Sequence, residues 1–166
     1  NWRWAGVPFY LRTGKRLAGR HAQIVINFRE VPHPIFPGSA RANKLVNKLQ
    51  PEDGLELHLL AAKGGSGGSA QGELLAPVSL DLDFDKAFES ERVGAYERLL
   101  MDVIAGRLNL FVRSDEQEQA WRWVEPILQA WAADPNGPRT YAAGTWGPPA
   151  SSAMVARDGC AWDEEQ

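Results

Sequence analysis

The feature that most limits the fold is a change of hydrophobic period part-way along the chain. From residue 22 to residue 85, apolar and polar residues alternate as they do in strands; from residue 93 the apolar positions recur at helical spacing. Ala22 to Val31 places Ala22, Ile24, Ile26 and Phe28 on one face and Gln23, Val25, Asn27 and Arg29 on the other. Pro32, Pro34 and Pro37 end this strand, because proline cannot donate to a ladder, and Pro32 to Asn43 reads as an irregular loop. Lys44 to Gln50 is a second strand, closed by the turn Pro51-Glu52-Asp53-Gly54. Leu55 to Ala62 follows, with Leu55, Leu57 and Leu59 opposed to Glu56, His58 and Leu60, so the pair predicts an antiparallel hairpin. Gly64 to Ser69 is a flexible connector that does not fit the glycine pattern of a dinucleotide site. Pro77 to Asp85 alternates again. Its aspartates, Asp81, Asp83 and Asp85, fall in a row on a solvated face, and no metal site is expected there.

Between Val93 and Arg107 the stripe Tyr96, Leu99, Leu100, Val103, Ile104 predicts an amphipathic helix ending near Gly106. Ser114-Asp115-Glu116-Gln117 has the form of a capping box, with Ser114 as cap and Gln117 reaching back. The helix it opens carries Ala120, Trp121, Val124, Ile127, Leu128 and Trp131, and Pro126 is expected to kink it. The remainder, rich in Gly, Pro and Ala, reads as a loosely ordered tail, with residues 151–166 polar. Strands first and helices later give an α+β class: a large, mostly antiparallel sheet with helices packed on one face. The other face, mixing Val25, Val46 and Leu60 with polar groups, is then an open surface suited to a subunit interface.

A length of 166 residues suits one domain. The net charge of −3 is small and the basic residues are scattered, which argues against a nucleic-acid partner and a membrane surface. A single cysteine, Cys160, cannot form an internal disulfide, in keeping with a reducing cytoplasm, and its place in the polar tail gives it no catalytic role. The chain opens on Asn1-Trp2-Arg3-Trp4, without an initiator Met and already strand-like, so the expectation is a piece of a longer protein.

Gly6 to Leu17 carries the one candidate for ligand chemistry visible in the residues alone. The apolar run Val7 to Leu11 predicts a buried strand, Gly14 a tight turn, and Lys15 a cation held out from it. Such a cation grips a phosphate or polyhydroxyl ligand; equally, it is an ordinary solvated strand end. This stretch resembles the substrate-lysine segment of the glucose-6-phosphate dehydrogenase family. Asn43-Lys44-Leu45-Val46 with Gln50-Pro51 is similar to that family's central strand and turn. Ala95 to Val103, with Phe111 to Glu116 and Ala120-Trp121, resembles its helix pair, and Tyr141 to Pro148 its closing segment.

The resemblance covers most of residues 2 to 150. It implies that residues 1–150 form the C-terminal part of a substrate and dimerisation domain, without the N-terminal nucleotide-binding domain. The implied activity is oxidation of glucose 6-phosphate to 6-phosphoglucono-1,5-lactone with NADP, by a homodimer or homotetramer joined through the sheet. It further implies substrate contacts at Lys15, Arg20 and Gln50, and no catalytic, cofactor or metal residue within this chain. The family's base histidine has no counterpart among His21, His33 and His58, and the glycine-rich nucleotide turn is absent. Arg12 and Lys48 keep basic character where eukaryotic members hold a second, structural NADP, but His21, Val25 and Trp146 replace basic residues, a bacterial-type pattern. Two readings stand beside an inactive portion of a dehydrogenase: a non-enzymatic oligomerisation sheet, and a free-standing sugar-phosphate-binding domain.

Overall fold

A computed structural model describes residues 2–30, 32–33, 42–62, 75–88 and 94–163. Residues 34–41 of the expected loop and the connector at 64–69 lie outside the described residues. The chain divides into two compact units, one made of Asn1–Leu17 and Arg92–Ala161, the other of Ala18–Glu91 and Trp162–Gln166.

The second unit is built on four strands: β1 (Ala22–Asn27), β2 (Lys44–Gln50), β3 (Gly54–Ala62) and β4 (Leu75–Asp83). They lie in the order β1-β2-β3-β4, every neighbouring pair antiparallel. The β2–β3 hairpin and its turn are where the alternation puts them. Gly54 opens β3 because a Cβ there would stand 3.0 Å from the Leu82 carbonyl oxygen on β4. β1 ends at Asn27, short of the expected Val31, although the Phe28 N–H still donates to the Asn43 carbonyl at 3.0 Å. β4 gives way at Asp83 to a short helix, α1 (Phe84–Phe88). Asp83 causes the switch: its carboxylate accepts the Lys86 N–H at 3.1 Å and pairs with the Lys86 ammonium at 2.8 Å. That cation holds the Asp83 carboxyl below the usual carboxylate range.

Pairing registers sort the sheet into two unlike faces. Ile24–Asn47–Leu55–Leu82 and Ile26–Leu45–Leu57–Leu80 are aligned rows on one face. Val25–Val46–Glu56–Asp81 lies on the other. The open face is not the one anticipated. Val46 is buried at 3 % exposure, while Ile24 and Leu80 on the leucine face are 50 % and 60 % exposed. The reason lies in the neighbours of Val46. Lys44 and Lys48 flank it on the same face, and each is tied down, Lys44 to Asp163 at 2.7 Å and Lys48 to Glu56. Their methylene stems can then lie along the apolar surface between them.

The first unit holds α2 (Ala95–Ile104), α3 (Ser114–Ala133) and α4 (Pro149–Ala156). Gly106 ends α2 as expected, at φ 67°, with its N–H on the Val103 carbonyl (3.1 Å) and the Arg107 N–H on that of Asp102 (2.8 Å). The cap of α3 sits one residue earlier than the pattern predicts. Arg113, extended at φ −74° and ψ 155°, is the cap, and Glu116 rather than Gln117 reaches back to its N–H at 3.0 Å. The Arg113 guanidinium meets Asp115 in a two-pronged pair at 3.0 and 2.8 Å. The helix continues through Pro126.

Three expectations for this unit are corrected. Trp2–Trp4 is a 3-10 turn, not a strand. Residues 7–11 form no strand, and Phe9 and Leu11 are exposed, so no buried strand carries the Lys15 turn. The closing stretch is ordered into α4: Pro149 supplies a preset first turn, Ala, Ser and Met continue it, and Gly159 at φ 71° follows its end. Val155 within α4 is 2 % exposed, and the Cys160 N–H donates to its carbonyl at 3.1 Å. Tyr10 donates to Asp158 at 2.5 Å, and that carboxylate holds the Tyr10 phenol well above its usual pKa.

Candidate functional site

The three candidate residues divide between the units. Arg20 and Gln50 line one cavity of about 280 Å³ in the sheet unit. Lys15 belongs to the other unit. The cavity forms where the residues leading into β1 run beside the end of β2, and the bulge between Ala22 and Gln23 offsets the two edges there. Its volume is at the small end of the range for small-molecule sites. Two cations, Arg20 and Lys48, line it with His21, the Gln50 amide and one carboxylate, Glu52. Among the described residues the Arg20 guanidinium has no ion-pair or hydrogen-bond partner, so its donors are open to an anion. Gln50 adds an amide that can both donate to and accept from hydroxyl groups. A concave surface with an open guanidinium, a primary amide and a second cation suits a small, phosphorylated, hydroxyl-bearing molecule.

Lys48 is the cation that the alternation gave no reason to place in this cavity. It is shared: Glu56, diagonal to it on β3, takes its ammonium and also accepts from His58 at 3.2 Å. Lys48 holds the Glu56 carboxyl below its ordinary 4.5, with His58 a smaller contributor. A carboxyl depressed in the folded state adds stability above its unfolded pKa and loses it as pH falls through the folded value. Glu56→Gln is therefore expected to lower the urea midpoint at neutral pH, and the gap to the parent protein should close as pH drops below 4.5. Unfolding titrations across the acid range check this; a gap independent of pH would mean that Glu56 acts through packing alone.

Lys15 stands on a loop whose shape comes from the far end of the chain. The Tyr141 hydroxyl donates to the Lys15 carbonyl at 2.7 Å. Arg16, not Gly14, takes the left-handed conformation, at φ 55°, and its carbonyl accepts the Gly144 N–H at 2.9 Å. Leu17 forms a parallel bridge with Thr145, and the Arg12 guanidinium lies 4.8 Å over the Trp146 ring. Gly14 is needed for room: a Cβ there would sit 2.9 Å from the Tyr141 hydroxyl oxygen. Sequence reasoning did not find Tyr141 as part of this site. Its partner is 126 positions away, and no local pattern marks such a pairing. Among the described residues no cluster of three His, Cys, Asp or Glu side chains could hold a metal ion.

A family model described as "Glucose-6-phosphate dehydrogenase, C-terminal domain" matches residues 1–163. The chain belongs to this family. Among its relatives, the glucose-6-phosphate 1-dehydrogenase of Rhizobium meliloti (strain 1021) is 51 % identical over 167 aligned residues, which take in 99 % of this chain and 33 % of the relative. That of Mycolicibacterium smegmatis is 50 % identical, over 98 % of this chain and 32 % of its own length. The crystal structure of the Mycobacterium avium glucose-6-phosphate 1-dehydrogenase superposes with a TM-score of 0.76 at 33 % identity, over 100 % of this chain and 33 % of that one. A glucose-6-phosphate dehydrogenase solved in complex with glucose 6-phosphate gives 0.75 at 27 % identity, over 91 % of this chain and 30 % of that one. The chain thus spans about a third of the length of the curated relatives it matches. The α+β class and the antiparallel sheet agree with the family assignment. No helix among the described residues is long and apolar enough to cross a membrane.

Proposed function

We propose that this domain is the C-terminal, substrate-binding and oligomerising share of a cytoplasmic dehydrogenase. The enzyme oxidises glucose 6-phosphate to 6-phosphoglucono-1,5-lactone with NADP, in the pentose phosphate pathway. The observation that carries the reading is the family match over residues 1–163, which takes in the Lys15 loop and the Arg20–Gln50 cavity together. Arg20 and Lys15 are read as cations for the phosphate, and Gln50 as a partner for sugar hydroxyls.

The described sheet does not have the form of a dinucleotide site. The described sheet is an antiparallel meander, so it has no parallel strand–helix–strand turn in which a pyrophosphate could rest. A second dinucleotide on the polar face would meet Glu56, whose carboxylate already takes Lys48 and repels phosphate. NADP supplies a hydride acceptor, and the part of the reaction that falls to this domain is to hold and orient the sugar phosphate. His58 is engaged by Glu56 on the polar strand face, which suits a structural role.

The assay is direct: the intact protein supplied with glucose 6-phosphate and NADP should form NADPH, and its failure to do so would sink the reading. Self-association through the sheet, as a homodimer or homotetramer, is part of the same proposal, and the leucine face supports it. Ile24 and Ile26 on β1 and Leu80 and Leu82 on β4 leave exposed aliphatic side chains at both edges of this face. Soluble monomers rarely leave such a face open, and a two-fold axis can bury it from both sides. Sedimentation of the intact protein at micromolar concentration is expected to give at least a dimer; a monomer there would refute it.

A further inference from the structure

We infer that Tyr141 is a positioning residue for the Lys15 ammonium and so sets the affinity for the sugar phosphate; this rests on the reading of Lys15 as a substrate cation. Lys15 sits in no helix or strand, and the apolar run before it forms no strand. What holds its backbone is the segment from residue 141 to residue 146. The chain is pinned at Arg12 by Trp146, at Lys15 by Tyr141, at Arg16 by Gly144 and at Leu17 by Thr145. Among these ties the Tyr141 hydroxyl alone reaches the peptide of Lys15 itself, at 2.7 Å. A lysine ammonium rides on a flexible four-carbon stem, so the orientation of its peptide decides the volume the charge samples.

Arg16 holds φ 55° next to Lys15. A non-glycine residue holds a left-handed conformation only when its surroundings over-determine it. Here those surroundings are the same segment. Freeing the Lys15 carbonyl therefore lets the turn relax and spreads the ammonium over positions that do not meet the ligand. Gly14 reports on the same contact from the other side, since any Cβ there displaces the Tyr141 hydroxyl.

The test uses the intact enzyme with four variants: Tyr141→Phe, Gly14→Ala, Lys15→Ala, and Tyr141→Phe combined with Lys15→Ala. Removing one neutral hydrogen bond that acts on binding should raise KM for glucose 6-phosphate about three- to tenfold, with kcat and KM for NADP unchanged. Gly14→Ala should raise the same KM. In the Lys15→Ala background, Tyr141→Phe should add nothing, because the group it positions is gone. A raised KM in Lys15→Ala with an unchanged KM in Tyr141→Phe would overturn the positioning role and leave Lys15 standing. Full additivity of the two substitutions would overturn it too, by showing that Tyr141 acts elsewhere. An unchanged KM in Lys15→Ala would overturn both this inference and the reading beneath it.

Discussion

Purified residues 1–166, free of any longer chain, are expected to reduce no NADP with glucose 6-phosphate. Oxidation at the anomeric carbon needs a base for the hydroxyl proton and an acceptor held against the departing hydride. None of the three histidines is expected to perform the first task. His58 is bonded to Glu56, His21 lines the Arg20 cavity without a match to the family's base, and His33 lies on the strand-to-loop segment with an exposed side chain. For the second task the meander has no turn for a dinucleotide. Loss of the base costs roughly 10²–10⁴ in rate, and loss of positioning multiplies that. The expected outcome is a rate equal to the blank, read as absorbance of NADPH over hours. Steady turnover above blank would show that a base and a nucleotide site exist within these residues, and the expectation that they lie outside them would fall.

The second large effect is expected at Lys15. If the proposed reading holds, Lys15→Ala in the intact protein should raise KM for glucose 6-phosphate about ten- to a hundredfold, from the loss of a charge-assisted hydrogen bond worth roughly 1.5–3 kcal/mol. The ammonium is solvent-exposed and, among the described residues, takes no carboxylate of its own, so removing it leaves no buried charge behind. Folding should therefore be little affected, and the thermal midpoint of the variant should match the parent's. The measurement is a pair of saturation curves, one for each substrate; an unchanged KM would make Lys15 a solvated loop residue.

How much of this was legible in the residues differs by kind of interaction. The β2–β3 hairpin and the end of α2 could be read because their causes are local: a period, a turn, a glycine that must take φ 67°. The open face of the sheet could not. Alternation says that Val25 and Ile24 point apart, but not which side receives a cover, and the cover of Val46 depends on Lys44 meeting Asp163 across 119 positions. Similarly, Ser114 and Gln117 satisfy the capping pattern, yet Arg113 and Glu116 satisfy the backbone, because two offset registers were compatible with the same residues. For the site, composition pointed to Lys15 as a cation on a turn and the family resemblance pointed to Arg20 and Gln50. The cavity that joins the latter two arises from a bulge at Ala22 and Gln23 that no residue type announces. The tail was misread because Gly and Pro outweighed the run Ala150 to Ala156, where neither occurs.

The staple between the Lys15 loop and residues 141–146 has a consequence for the order in which this molecule comes into being. Synthesis runs from the N-terminus, and a loop cannot be pinned by residues not yet made. The sheet can assemble once β4 has emerged, since its pairings are between neighbours in the chain. The Lys15 turn must wait some 60 residues longer, until Tyr141 and Gly144 have left the ribosome. The earliest-made cation of the candidate site is thus among the last features to be fixed. A chain halted at residue 140 would still contain all four described strands and every predicted substrate contact, and would still present Lys15 in an unset loop.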